Sequence, residues 1–240
     1  MNLLKTIALA TTLILTPAIS SESSLVAKTI ELTPKNSVVL RGPITDSSTT
    51  RAILAVYRLS FERSKYRDTP IYLVLDSPGG SIFAGSALIE SLKSVKNLHT
   101  ITLFGASMAH AIAQAIPGSR YVLANSEMMA HRAKGRFGGQ FESGEVESRL
   151  NHWKKIVRRM EQTNADRIGV SLKKYKKNVI NEWWESGTNL ITSGFADQLA
   201  EIKCSEDLIA QKNIIIVRGL FGNGAKRTFS GCPLLRSPID

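Results

Sequence analysis

Three short stretches carry residues whose types and spacing suit chemistry. In "DSPGGS" (Asp76 to Ser81) an apolar run ends, and Pro78 and the adjacent Gly79 and Gly80 precede a helical pattern. Proline sets φ and glycine admits positive φ, so the stretch reads as a tight connection. It equally suits the close approach of an anion or oxyanion to bare backbone N–H groups. In "LFGASMAHA", Ser107 stands just past a buried strand at the start of a helix. A serine there is a natural N-cap. A hydroxyl presented after a sharp turn at a helix N-terminus is also how nucleophiles meet substrate. Such a nucleophile needs a base, and His131 in "NSEMMAHRA", at the end of the next predicted strand, is the candidate. His110 and His152 have no comparable context, and His99 reads as a loop residue.

The elements that must position these residues follow from hydrophobic period. "SVVLRGPI" (37–44) reads as a strand closed by Gly42 and Pro43, and "SSTTRAILAVYRLSFERS" as a helix with hydroxyl N-cap candidates. "PIYLVLD" is nearly all apolar, as in a sheet covered on both faces. "SIFAGSALIESLKSV" is helical, "HTITLFG" a strand, and "SMAHAIAQAI" a helix of small residues stopped by Pro117 and Gly118. "SRYVLAN" and "MMAHR" read as two short strands. The alternation predicts an α/β fold with parallel pairing.

The longest predicted helix spans about 143–166, with Val146, Leu150, Trp153, Val157 and Met160 on one stripe. That stripe suits core contact or another subunit. "SLKKYKKNVINEWWESG" reads as a short second helix, "NLITSGFADQL" as a turn into a late strand, and the chain beyond Ser205 as a strand-like "NIIIVRG" with a loose end.

Residues 1–20, "MNLLKTIALATTLILTPAIS", have one lysine, an apolar run, and Pro17, Ala18 and Ser20 before a plausible cleavage point. This is the layout of a secretory signal peptide, and the run is short for a membrane span. An uncleaved membrane anchor is the alternative. An exported chain meets an oxidising compartment, where its two cysteines, Cys204 and Cys232, are expected to form a disulfide. Net charge is +11. Ten Lys or Arg fall between Arg149 and Lys177 against Glu161 and Asp166. A solvated helix face explains such a run. Anionic lipid or an envelope polymer is the alternative partner for an exported chain, ahead of nucleic acid.

Three segments in register resemble the proteolytic subunit of the Clp protease family, within the wider Clp/crotonase superfamily. "YLVLDSPGGSIFAGSALIESL" is similar to its glycine turn and following helix. "GASMAHAIAQAIPGSRYVLANSEMMAHR" is similar to its nucleophile helix and base, and "LITSGFADQL" to a segment near the end of that fold. The resemblance runs from about Val38 to about Ile202. It implies an α/β, ββα-superhelix fold with a mostly parallel sheet, a protruding long helix and a short C-terminal extension. The expected division is a leader over 1–20, a peptidase domain over 21–203, and an extension over 204–240 that a disulfide closes.

Carried over residue by residue, the resemblance implies Ser107 as nucleophile and His131 as general base. The N–H groups of Gly80 and Met108, beside Gly79, would form an oxyanion hole, and a Gly-rich strand edge would hold substrate as an added strand. The third member departs from the pattern: counting back from Gly194 lands on Glu182 where the family has Asp, with Glu185 the alternative. Asp197 matches a family Asp that is not catalytic, and Leu103 stands where the family has glycine upstream of the nucleophile. No metal or cofactor is expected.

The implied activity is a serine endopeptidase acting on peptides or loosely folded chains, as a homo-oligomer joined through the long helix. The chain carries no Gly-Lys phosphate loop of its own, and an ATPase partner is not expected outside the cytoplasm. Three alternatives remain: a membrane-associated signal-peptide-peptidase-like enzyme with a Ser–Lys dyad, a crotonase-type acyl-CoA enzyme, and a non-catalytic assembly or binding module.

Overall fold

The structure is a computed structural model and describes residues 27–62, 69–135, 142, 144–218 and 224–238. The predicted leader over 1–20 lies outside the described residues, as do 136–141 and 143 at the predicted start of the long helix.

The frame is a seven-stranded sheet. Its path runs β1 (Lys28–Leu32), β7 (Gln198–Cys204), β5 (Arg120–Ala130), β4 (Leu98–Ala106), β3 (Ile71–Ser77), β2 (Ser37–Arg41), with β6 (Trp183–Ser186) paired off the path to β5. Every neighbour along the path is parallel. The expected α/β architecture with a mostly parallel sheet is therefore what the chain forms. The near-continuous apolar run of β3 is buried on both sides, as a covered parallel sheet requires.

One face, bearing Leu73, Leu75 and Leu98, packs under α1 (Asp46–Glu62), α2 (Ile82–Leu92) and α3 (Met108–Ala115). Tyr72, Val74 and Ile101 belong to a second cluster with Ile30, Leu32 and Leu208, the last from α7 (Glu206–Ala210). The period of two along β3 thus feeds two cores.

The long helix is α4 (Glu145–Ile168), begun at Gly144 and ended by Gly169, both left-handed. Its stripe divides. Val157, Ala165 and Ile168 are buried, while Val146 is 46% exposed. The C-terminal half of α4 is core, and the N-terminal end is uncovered by the described residues.

Three readings change. The two short strands expected at 119–125 and 128–132 are one strand, β5. Its partner register on β4 jumps from Thr102↔Val122 to Phe104↔Glu127. The buried Ser126 hydroxyl accepts from Leu123 N–H and donates to the Thr102 carbonyl, healing the ladder across the jump. The helix expected over 171–187 stops early, as α5 (Leu172–Asn178). Its remainder becomes β6, antiparallel to β5, because Trp183 packs edge-on against Phe195 (ring centroids 4.6 Å apart) and Trp184 stacks on Phe104. Cross-strand and ring contacts here outweigh helical period. The strand-like stretch of the tail is β8 (Lys212–Arg218), and the end expected to be loose supplies its antiparallel partner β9 (Gly224–Ser230). β1 and α7 were also outside the sequence expectation. Between α5 and β7, α6 (Asn189–Thr192) is a single turn.

Cys204, at the end of β7, and Cys232, just past β9, form the expected disulfide. Beyond it Arg236 pairs with Asp76 (2.9 Å), which also binds Arg41 (2.9 Å) at the β2–β3 ends.

Candidate active site

The glycine turn after β3 is held by its neighbour Ile44. Ile44 N–H donates to the Gly79 carbonyl and the Ile44 carbonyl accepts from Ser81 N–H, both at 2.9 Å. Gly79 N–H is taken by the buried Ser77 hydroxyl (3.1 Å). Both glycines have positive φ, 93° and 151°. A Cβ on Gly79 would lie 2.7 Å from Ser107 Cβ, and one on Gly80 would lie 2.4 Å from the Ile44 carbonyl oxygen. Glycine is therefore required twice, for conformation and for space. The Gly80 N–H has no acceptor among the described residues.

Across from this turn β4 runs into α3. Ser107 adopts φ 56° and ψ −118°, a conformation a β-carbon resists, with its N–H donating to the Met129 carbonyl (2.8 Å). It occupies the N-cap position yet makes no side-chain cap bond. Instead its Oγ lies 2.7 Å from His131 Nε2. The sharp turn presents the hydroxyl outward and leaves the Met108 N–H, at the first helical position, without an acceptor among the described residues. The glycine turn therefore brings two bare amides, Gly80 and Met108, to the hydroxyl's side.

His131 follows the last residue of β5 and is half-buried. Burial pushes its imidazole below the ordinary value, the Lys134 charge pushes the same way, and the Glu182 carboxylate pulls it back up. The ring is therefore neutral near pH 7 and able to accept a proton. The partner of the Ser107 hydroxyl is this histidine and not a lysine.

Of the two carboxylate candidates, Glu182 just precedes β6 and Glu185 lies within it. The register of β6 pairs Ala130 with Trp183, so the next step of the ladder sets Glu182 opposite His131, while Glu185 pairs with Met128. The Glu185 carboxylate accepts from the Trp183 indole N–H (2.8 Å), and that of Glu182 from the Trp184 indole N–H (2.9 Å). Among the described residues no carboxylate is hydrogen-bonded to His131.

Asp197 sits elsewhere. It receives the Arg120 guanidinium and backbone N–H and lies 3.3 Å from Arg167, tying β5, α4 and β7 together. His99 bonds Asn97 and the Ser119 N–H at the sheet's far end, and His152 is exposed on α4. Among the described residues no group of three His, Cys, Asp or Glu is placed to hold a metal ion.

A cavity of about 200 Å³ opens beside Ser107 and His131. His110 from α3, Met160, Glu161 and Asn164 from α4, and Tyr175 from α5 help to line it. Sequence reasoning passed over all five as chemistry. Of the five the sequence placed only Met160, on the α4 stripe, and Asn164 follows it by one helical turn.

The family model described as "Clp protease" matches residues 20–203. Curated relatives include proteins named "ATP-dependent Clp protease proteolytic subunit" from Streptococcus pyogenes serotype M5 (strain Manfredo) and Streptococcus equi subsp. equi (strain 4047). Each is 29% identical over 167 residues, covering 68% of this chain and 84% of the relative. The matched span contains the glycine turn, the strained Ser107, His131 and the cavity beside them. This chain belongs to the Clp protease family, a family of peptidases.

Proposed function

We propose that the protein is a serine endopeptidase that cleaves peptides or loosely folded chains through Ser107, His131 and Glu182. The observation that carries this reading is the 2.7 Å contact between Ser107 Oγ and His131 Nε2, beside two backbone amides with no acceptor among the described residues. Ser107 Oγ attacks the scissile carbonyl carbon and its proton passes to His131 Nε2. The oxyanion rests against Gly80 and Met108 N–H, where each donor is worth on the order of a hundredfold or more in rate. His131 then protonates the leaving amine, and water opens the acyl-enzyme with the same ring as base.

Glu182 is the acid of this reading, supported by its ladder position opposite His131 and by its charge acting on that ring. It is exposed, and exchanging the Trp184 indole for His131 Nδ1 takes a side-chain rotation.

The enzyme acts after export and without an ATPase. The leader pattern of residues 1–20 and the Cys204–Cys232 disulfide, which suits an oxidising compartment, support this. It works as a homo-oligomer joined along α4, for which the exposed Val146 end of the helix is the structural support.

Labelling with a fluorophosphonate tests the catalytic reading. The parent protein is expected to take up the probe, and Ser107→Ala and His131→Ala are expected to lose it. A folded parent that stays unlabelled overturns the reading in favour of a non-catalytic assembly module.

A further inference from the structure

The cavity beside Ser107 is lined by both apolar and polar side chains. Ile82, Ala111 and Met160 are among the apolar ones. Two of the polar ones have incomplete hydrogen bonding. Asn164 is 3% exposed, and its amide nitrogen donates to the Tyr175 hydroxyl (2.9 Å), leaving Oδ1 with no partner among the described residues. His110 is 1% exposed, and neither ring nitrogen has a partner among the described residues. Burial holds this ring neutral, its pKa pushed down to about 3, so it offers one N–H and one bare nitrogen. Glu161 lines the same cavity, its carboxylate 3.3 Å from the Lys176 ammonium.

Buried polar atoms ordinarily find partners, and leaving one unpaired is costly. A simple hydrophobic pocket has no use for two such groups in its lining. Asn164 Oδ1 and the ion-paired Glu161 carboxylate can only accept. The occupant that completes them carries N–H donors at the end of an apolar stem.

We infer that this cavity selects the substrate residue on the acyl side of the scissile bond, taking a side chain with an apolar stem and a terminal N–H donor, glutamine- or lysine-like, through Asn164 and His110. The inference rests on the serine peptidase reading and deepens it. An aliphatic side chain would suit the apolar lining but leave Asn164 Oδ1 and His110 unpaired. A site built to hydrogen-bond its substrate rejects such an analogue far more strongly than a site that merely loses a methylene.

The test is a set of fluorogenic peptides identical except at that residue: glutamine, lysine, norleucine and leucine. The full-length parent protein is expected to cleave the better of the glutamine and lysine peptides at least about tenfold faster in kcat/KM than the norleucine peptide. The stems are similar, so the ratio reads the terminal donor. If lysine leads, Glu161→Gln is expected to reduce its advantage over glutamine, and if glutamine leads, the charge of Glu161 is already spent on Lys176. Asn164→Leu is expected to collapse the donor-to-norleucine ratio toward one. Should that variant not fold, the parent series decides alone.

Norleucine or leucine cleaved as well as or better than both donors overturns the inference while leaving the peptidase reading intact. No cleavage of any peptide together with an unlabelled Ser107 overturns both.

Discussion

Ser107 and His131 show how little separates a capping serine from a nucleophile. Both roles place the residue at the same point of the chain. What differs is one backbone conformation: φ 56° turns the hydroxyl away from the helix amides and toward Nε2. The base is tuned by its neighbours. Burial and Lys134 depress the His131 imidazole, and Glu182 opposes them. Activity that needs the neutral ring is present above the folded-state pKa and is lost as pH falls through it. The acid limb of kcat/KM is therefore expected below pH of about 6.5, the ordinary imidazole value. Lys134→Ala removes a depressing charge and moves that limb to higher pH. Glu182→Gln removes the opposing charge and moves it lower, with a loss of kcat as well. A limb that stays put in both variants would detach it from His131.

At the level of elements, the site depends on strands and helices being clamped at one end of the sheet. Arg120, almost wholly buried at the start of β5, bonds Asp197 before β7, the Gly194 carbonyl and Gln114 of α3. Arg167 of α4 joins at Asp197 and the Gly118 carbonyl. Burial works against the Asp197 carboxylate, yet the Arg120 hydrogen bonds and both cations hold it below the usual range. A depressed carboxylate contributes stability above its unfolded value of about pH 4, which is lost as pH falls through the folded one. Asp197→Asn leaves the Arg120 charge buried without its partner. With Asp197 itself partly exposed, the cost is expected at about 2–3 kcal/mol in urea unfolding at pH 7. The difference from the parent is expected to shrink as the pH drops below about 4. An unchanged urea midpoint at pH 7 would deny the clamp its role.

For the molecule as a whole, the uncovered end of α4 is the feature that points outward. Its stripe enters the core from Val157 onward and leaves it toward Val146. If copies of the chain meet along that end, Val146→Asp shifts the sedimentation coefficient toward a single chain. The urea midpoint, measured on the separated chains, is expected to stay near the parent's, because Val146 contributes little to the core of its own chain. Identical sedimentation of variant and parent would move the oligomer contact elsewhere. The extension is fastened by its disulfide and by Arg236 on Asp76, at the end of β3 just before the glycine turn. Tail and site therefore share one strand.

By itself the sequence determined the alternation of strands and helices along the chain from β2 to α3, the glycine turn, and the two residues that meet, Ser107 and His131. Each is written in local terms: an apolar run buried on both faces, a pair of glycines where no Cβ fits, a serine and a histidine at consecutive strand ends. Four features waited for tertiary structure. The fate of Trp183 and Trp184 was one, since their rings find Phe195 and Phe104 only after the chain has folded back. The placement of Glu182 opposite His131 was a second, because the register of β6 on β5 fixes it, where the chain alone offered only a count back from Gly194. The partly cored stripe of α4 was a third. The fourth was the polar part of the cavity lining. His110 and Asn164 lie on two different helices, and only their packing brings their unspent hydrogen-bonding capacity into one cavity beside the nucleophile.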